Sequence, residues 1–355
     1  MPTRKAPATR RVNFSHKKAF LLRREKIIRS IRSVFMGQDF LEVQTPALQV
    51  SPGLEPHLQA FRTELKDPRG NRTSTRYLHT SPEFAMKKLL ASGLERIYQI
   101  AQVYRNQERS STHHPEFSML EWYRVGQPYT ILMEDCEGLL RACKDAAGGD
   151  SLLTWKGVKS DPFLPFERLS VQQAFVRYAE TDLLGSISDP LQPSPELLRA
   201  SCRKLGIHCV ESDSWEDLFF RIFLEKIEPK LGIGRPTILY DYPISMAALA
   251  RPKASDPKLA ERFELYVCGL ELANAFGELT DVKAQRARFE SDMDKKQRLY
   301  GERYPIDEDF LQALEEGLPE SSGIALGVDR LVMLCTGAEH IEDVLWLPVA
   351  EPDSN

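Results

Sequence analysis

At 355 residues, with 42% hydrophobic and 28% charged positions and a formal net charge of -4, the chain is long enough for one large α/β domain carrying an insertion. No apolar run approaches the ~20 residues that span a bilayer and no signal-peptide core is visible, so a membrane protein is not expected and a cytoplasmic one is. The near balance of charge argues against bulk nucleic-acid binding, and six cysteines without a Cys-x-x-Cys pair give no expectation of a disulfide or structural zinc.

The amino terminus departs from that balance. Residues 1–29 hold ten Lys/Arg and one acid, Glu25, with Pro2 and Pro7 discouraging order. A flexible tail over residues 1–16, contact with an acidic partner and an organelle transit peptide all fit this composition. Residues 17–37 then read as a helix, because Phe20, Ile27, Ile28, Ile31 and Phe35 share one face and Gly37 ends it. A short extended segment, 40–43, runs on to Pro46.

Strand texture follows. Tyr77-Leu78-His79-Thr80-Ser81 leads into Pro82-Glu83 and a helix over 84–90. Residues 96–104 alternate, 105–115 form a polar loop, and 116–124 return, which predicts a hairpin with a long tip of the kind that carries ligand contacts. Residues 130–235 read mostly as helix (132–144, 171–179, 195–205 and 215–230), expected as a helical insertion. Strands resume at 237–242 and 263–273, helices at 281–300 and 307–316 follow, and Ser321-Ser322-Gly323-Ile324-Ala325-Leu326-Gly327 reads as a terminal strand. After it a helix opens with Asp329 placed to cap it and Arg330 in its first turn. The expected fold class is α/β (α+β).

Chemistry concentrates at a few points. Strand, glycine, acid and arginine at 321–330 form a place that can accept a polyphosphate, because glycine lets backbone approach and a guanidinium bonds phosphate oxygens in pairs. Arg105 at the base of the hairpin loop supplies a second fork. Magnesium bridging phosphates requires oxygen ligands, and Glu264, Glu271 and Glu278 are the candidates. Their spacing of seven puts successive members on opposite faces of a continuous strand unless a bulge intervenes, so periodicity alone does not bring them to one site.

Gly37 to Pro46, Tyr104-Arg105-Asn106-Gln107-Glu108 and Gly327-Val328-Asp329-Arg330, in this order, resemble the three signature motifs of class II aminoacyl-tRNA synthetase catalytic domains. The resemblance implies an antiparallel sheet flanked by helices, ATP and Mg²⁺, a homodimer built on the first motif, Arg105 on the α-phosphate and Arg330 on the γ-phosphate. It adds Asn106, Gln107, His114, Glu271, Leu272 and Gly327 to the ATP contacts. Glu271-Leu272-Ala273-Asn274-Ala275-Phe276-Gly277-Glu278-Leu279 is similar to the lysine-specific segment of lysyl-tRNA synthetases, which implies Glu271 near ATP and metal, with Glu278 facing the side-chain ammonium and a second metal candidate. Ser81, Pro82 and Glu83 would then meet the other amine, and Tyr123 the distal one, although Tyr123 also reads as a packed strand residue.

No anticodon-binding domain is expected before residue 17 or after Arg330. This plan, with Ala325 where lysyl-tRNA synthetases usually have glycine, resembles the truncated paralogues that attach (R)-β-lysine to a lysine of elongation factor P. It implies that factor and (R)-β-lysine as partners, without stable tRNA binding. One methyl group in a tight pocket is worth roughly 1–3 kcal/mol of discrimination, although Ala325 also reads as strand packing. A stand-alone lysine activator serving tRNA or a small amine, and a non-catalytic amino acid or ATP sensor, stay open. Gln107 for glutamate, Ala275 for glycine and His114 for asparagine depart from the family pattern.

Overall fold

The computed structural model describes residues 14–350; the expected tail lies outside them except for its last three residues, which already belong to the first helix. In α1 (Phe14–Met36), Leu21, Ile27, Ile31 and Phe35 are buried along one stripe, and the Gly37 amide closes the last turn on Ser33 O. The chain continues through β1 (Leu41–Glu42), then β2 (Leu48–Gln49), β3 (Arg62–Lys66) and β4 (Thr73–Leu78), which pair as a small antiparallel sheet. Helix α2 (Glu83–Ala91), the hairpin β5 (Arg96–Tyr104) and β6 (Glu116–Val125), and α3 (Ile131–Ala147) come next.

After a hairpin of β7 (Leu153–Trp155) and β8 (Val158–Ser160), β9 (Glu167–Ser170) precedes α4 (Val171–Ala179), α5 (Glu196–Lys204) and α6 (Trp215–Ile222). Strands β10 (Thr237–Pro243), β11 (Pro252–Lys253), β12 (Asp256–Val267) and β13 (Leu270–Gly277) follow. Then come α7 (Val282–Tyr300), α8 (Glu308–Gly317), β14 (Ser321–Gly327) and α9 (Val328–Thr336).

Among the described residues the main sheet has nine strands in the order β1-β5-β6-β14-β13-β12-β10-β9, with β11 on β12. It is antiparallel except at its ends, where β1 runs parallel to β5 and β9 to β10. One face packs on α1, α3 and α9: Ile31, Phe35, Leu139 and Val332 meet Leu120, Trp122, Ile324 and Leu326. The other face carries α2, α7 and α8 over one end, where Phe84, Phe289 and Phe310 meet Ile97 and Tyr123, and leaves a cleft beside them. Period-two alternation therefore sends Leu120, Trp122, Ile324 and Leu326 to the helices and Met119, Glu121, Tyr123, Gly323 and Ala325 to the other side.

The helical insertion is narrower than residues 130–235. Helix α3 packs on α1 in the main core, and β9 is a strand of the main sheet. The separately cored part is α4 to α6, where Phe175, Leu198, Trp215 and Phe219 pack together and reach the sheet through Leu239 and Tyr266. The expected strand over 263–273 is in fact a hairpin of β12 and β13, turned at Cys268 and Gly269, both with positive φ. The expected cap is also different: Gly327 occupies the N-cap of α9 without a side-chain bond, and Asp329 lies inside the first turn. Its buried carboxylate takes Arg24 of α1 and the Ser118 amide of β6 at 2.7 Å, so it joins three elements instead of capping one.

Candidate active site

A cleft of about 470 Å³ runs across β6, β14, β13 and β12, roofed by the β5–β6 loop and the segment around Glu55. Its floor is built from small residues. A methyl group on Gly323 would run into the Tyr123 ring and the Glu278 carboxyl, so only glycine lets those two side chains lie over β14. Ala325 pairs with Glu121 across the strands and lines the cleft midway along the floor. At Gly327 an added Cβ meets only the Arg330 side chain at 3.8 Å, so space alone does not require glycine there.

One end of the site is an acidic nest. Ser81 Oγ accepts the Glu83 amide at 3.1 Å and donates to Glu121 Oε2 at 2.7 Å, while Pro82 takes the N-cap of α2. Tyr123 donates to Glu121 Oε1 at 2.5 Å, so its hydroxyl is turned to Glu121 while its ring abuts Glu278. Lys87, one turn along α2 from Glu83, sits between two carboxylates, 2.5 Å from Glu83 Oε1 and 2.5 Å from Glu278 Oε2. Burial would lower its pKa, but Glu278 and then Glu83 outweigh that and hold it raised.

Three carboxylates against one ammonium leave the nest two negative charges in excess when all are ionised. Burial, together with the neighbouring carboxylates, disfavours that fully ionised state. Burial and then Glu83 push Glu121 up to about 8, and burial, opposed by Lys87 and reinforced by Glu83, pushes Glu278 up to about 7.

The other end carries the arginines. Arg105 lies 5.2 Å over the Phe117 ring, and its Nε is buried with no partner among the described residues. Arg330 donates to Glu271 O at 2.7 Å, to Thr112 O at 3.2 Å and to His113 Nε2 at 2.7 Å. His113 is thus an acceptor, and burial, Arg330 and Arg105 in that order lower its pKa to about 4.

Beside them Glu271 and Glu264 converge. The β12–β13 register shifts by one residue: Leu265 faces Ala273 but Tyr266 faces Glu271, and both Leu272 and Ala273 turn into the helix-side core. This bulge is what puts Glu264, Glu271 and Glu278 on one face despite their spacing of seven. Burial and then Glu264 push Glu271 up to about 7 against the pull of Arg330, Arg262 and Arg105, and Glu264 itself is paired with Arg262 at 2.5 Å. Glu278 is roughly 20 Å further along β13 at ~3.3 Å per residue, too far to share an ion with Glu271. Glu271 and Glu278 therefore do not converge, and the carboxylate beside Glu271 is that of Glu264.

The nest thus gathers Ser81, Glu83, Tyr123 and Glu278, and the opposite end Arg105, Glu271, Gly327 and Arg330, with Ala325 between. Three expected ATP contacts sit differently. Gln107 has φ +65 and is exposed, its amide held by the Asn106 side chain at 2.9 Å; Glu108 lines the cleft instead. His114 gives both ring nitrogens to backbone, Glu116 O at 2.6 Å and Val349 N at 3.1 Å. The Leu272 side chain is in the core, so only its backbone faces the cleft. Ala275 lies in extended β13, so the residue replacing glycine there needs no positive φ.

Lys87, Glu121, His113 and Gly323 were not singled out from sequence. The helix spacing of Lys87 from Glu83 and the strand spacing of Glu121 from Tyr123 were available signals.

Residues 7–351 match the family described as tRNA synthetases class II (D, K and N). A protein of Proteus mirabilis named "Elongation factor P--(R)-beta-lysine ligase" is 40% identical over 333 residues, 93% of this chain and 95% of its own length. Proteins of that name from Haemophilus ducreyi and Photorhabdus laumondii are 40% and 41% identical, covering 92% and 94% of this chain and 92% and 96% of their own.

Proposed function

Because this chain belongs to the class II tRNA synthetases of the D, K and N group, we propose that its cleft activates (R)-β-lysine with ATP and passes it to the ε-amino group of a lysine of elongation factor P. The observation that carries this reading is the pairing of ends: a nest of three carboxylates around one ammonium, and across Ala325 two arginines, of which Arg105 has a buried, unpartnered Nε. A diammonium amino acid fits the first and a nucleotide triphosphate the second.

The protein is an ATP-dependent ligase. The substrate carboxylate attacks the α-phosphorus, the bond to pyrophosphate breaks, and an acyl-adenylate remains. Arg105 stabilises charge at the α-phosphate and Arg330 holds the γ-phosphate, with His113 keeping that guanidinium aligned. Glu271 would be the first carboxylate for a magnesium ion, since neighbouring Glu264 already accepts from Arg262, Tyr242 and Tyr266; bound there, the ion would add positive charge beside the phosphates. In the nest, Glu83 and Glu121 meet the amine nearer the carboxylate and Glu278 the distal one. The acceptor amine then attacks the adenylate carbonyl, AMP leaves, and an amide forms.

The Ala325 methyl group projects where the amino acid backbone passes, which favours a substrate whose amine is one carbon further from the carboxylate. Exposed Met36, Leu41, Leu48 and Val50 along the β1 edge support a homodimer through that edge. Among the described residues no helix is long and apolar enough to cross a membrane, and the reading puts the enzyme in the cytoplasm.

Exchange of pyrophosphate into ATP tests the first half. It should depend on (R)-β-lysine and respond far less to α-lysine. Exchange that ignores the amino acid supplied would remove the assignment.

A further inference from the structure

A second cavity of about 320 Å³ adjoins the cleft, and Glu55, Arg262, Asn274 and Phe276 line both. Its walls include Leu54, Phe84, Met246, Leu249 and Phe289, and its charged groups are Glu55, Glu216 and Asp292 against Lys295 and Arg262. Lys295 is already paired with Glu216 at 2.5 Å, and Arg262 with Glu264 at 2.5 Å. Exposed Ser291 marks the outer rim. An apolar tube with unpaired acids toward its inner end matches one common side chain, a lysine with a four-carbon stem and a cationic tip.

Glu55 stands where the two spaces meet. Its Oε2 is buried and has no hydrogen-bond partner among the described residues. The segment carrying it is fixed on both sides. Lys296 of α7 donates to Pro56 O at 3.2 Å and Leu58 O at 2.7 Å, and Thr80 donates to Pro52 O at 2.9 Å from its amide and 3.0 Å from its hydroxyl. Gly53, at φ +131, has no room for a Cβ between Thr80 and Glu55. A carboxylate oxygen on so firmly held a segment, buried and without a donor, calls for a ligand.

We propose that the second cavity admits the acceptor lysine of the protein substrate and that Glu55 is the base that deprotonates it. The inference rests on the protein-ligase reading given above. An acceptor lysine is an ammonium ion near neutral pH and has no lone pair to attack with. One proton passes from it to a Glu55 oxygen, and the neutral nitrogen forms a bond to the adenylate carbonyl carbon. The carbon–oxygen bond to AMP then breaks with its electron pair going to the phosphate, and the second proton leaves the nitrogen to water.

The groups facing Glu55 suit the task. Glu83 and Lys87 of α2, Arg105 of the hairpin loop, and Asp292 and Lys296 of α7 surround it. Burial, and after it Glu83, raises its pKa, while Arg105 and Lys87 pull the other way, so the carboxylate is more basic than a surface glutamate.

Glu55→Gln keeps the shape and removes the base. Three rates separate the possibilities: pyrophosphate exchange with (R)-β-lysine, trapping of the adenylate by hydroxylamine, which is uncharged at neutral pH and needs no base, and transfer to elongation factor P. The variant should hold the first two within about twofold of wild type and slow the third about 100-fold, the scale of a general base. Ser291→Trp at the rim should slow only transfer as well. Wild-type transfer by Glu55→Gln would overturn the proposal, and loss of exchange along with transfer would do so too, by moving Glu55 to amino acid activation. If the wild-type enzyme itself exchanges but modifies no elongation factor P, the ligase reading fails and this inference falls with it.

Discussion

The Lys87 ammonium lies 2.5 Å from Glu278 Oε2, and each side chain has only 1% of its surface exposed. Lys87 also touches Glu83, so one internal cation spans the two carboxylates that bracket the amino acid end. Breaking a buried pair from one side costs about 3–5 kcal/mol, because it strands charge in a dry site. Lys87→Met should therefore lower unfolding stability by about 3 kcal/mol, with (R)-β-lysine recovering part of it. A denaturant midpoint equal to wild type would mean that the pair is incidental.

Glu278→Ala removes the other side. It should abolish pyrophosphate exchange while the protein remains folded by circular dichroism, since Lys87 keeps Glu83. Near-normal exchange would remove Glu278 from the substrate site.

Ala325 and Gly323 predict opposite results from one methyl group. Ala325→Gly opens space opposite Glu121 and should shift the ratio of kcat/KM toward α-lysine by about 10-fold or more, within the 1–3 kcal/mol that a methylene-sized change commands. Gly323→Ala drives a methyl group into Tyr123 and Glu278 and should eliminate exchange with either substrate. Unchanged preference in the first variant would reduce Ala325 to packing.

Glu121 predicts a pH dependence. Its carboxyl is raised from 4.5 to about 8, so the folded protein holds a proton that the unfolded chain has released. That stabilisation is complete below about pH 4.5 and is lost as pH rises through 8, by at most about 1.4 kcal/mol per unit for one proton. Substrate ammonium favours the ionised form, so binding should release protons and tighten from pH 6 to 8. Calorimetry in buffers of different ionisation enthalpy would register the release, and Glu121→Gln should reduce it. A proton balance of zero in the wild-type enzyme would contradict the charge account of the nest.

The hairpin β5–β6 was legible almost to the residue, because long alternation and a polar loop are local signals, and so were α1, α2 and α7. What escaped was set by partners distant in sequence. Asp329 reads as a helix cap from its local sequence, but its carboxylate is held by Arg24, 305 residues away. The three glutamates at spacings of seven could not be placed, since one register shift in β13 decides their face and nothing local announces it. Gln107 was expected in the site from its position in a motif, but a positive φ turns it outward and brings Glu108 in. Arg105, Arg330, Glu83 and Glu278 were found because their motifs are compact, whereas Glu55 belongs to no motif and is visible only where two cavities meet.

The most direct test is the intact mass of purified elongation factor P after incubation with this protein, ATP, Mg²⁺ and (R)-β-lysine, with bulk tRNA assayed for acylation beside it. A gain of one lysyl residue on the factor, with tRNA left bare, is the predicted result. An unmodified factor beside charged tRNA would contradict the account.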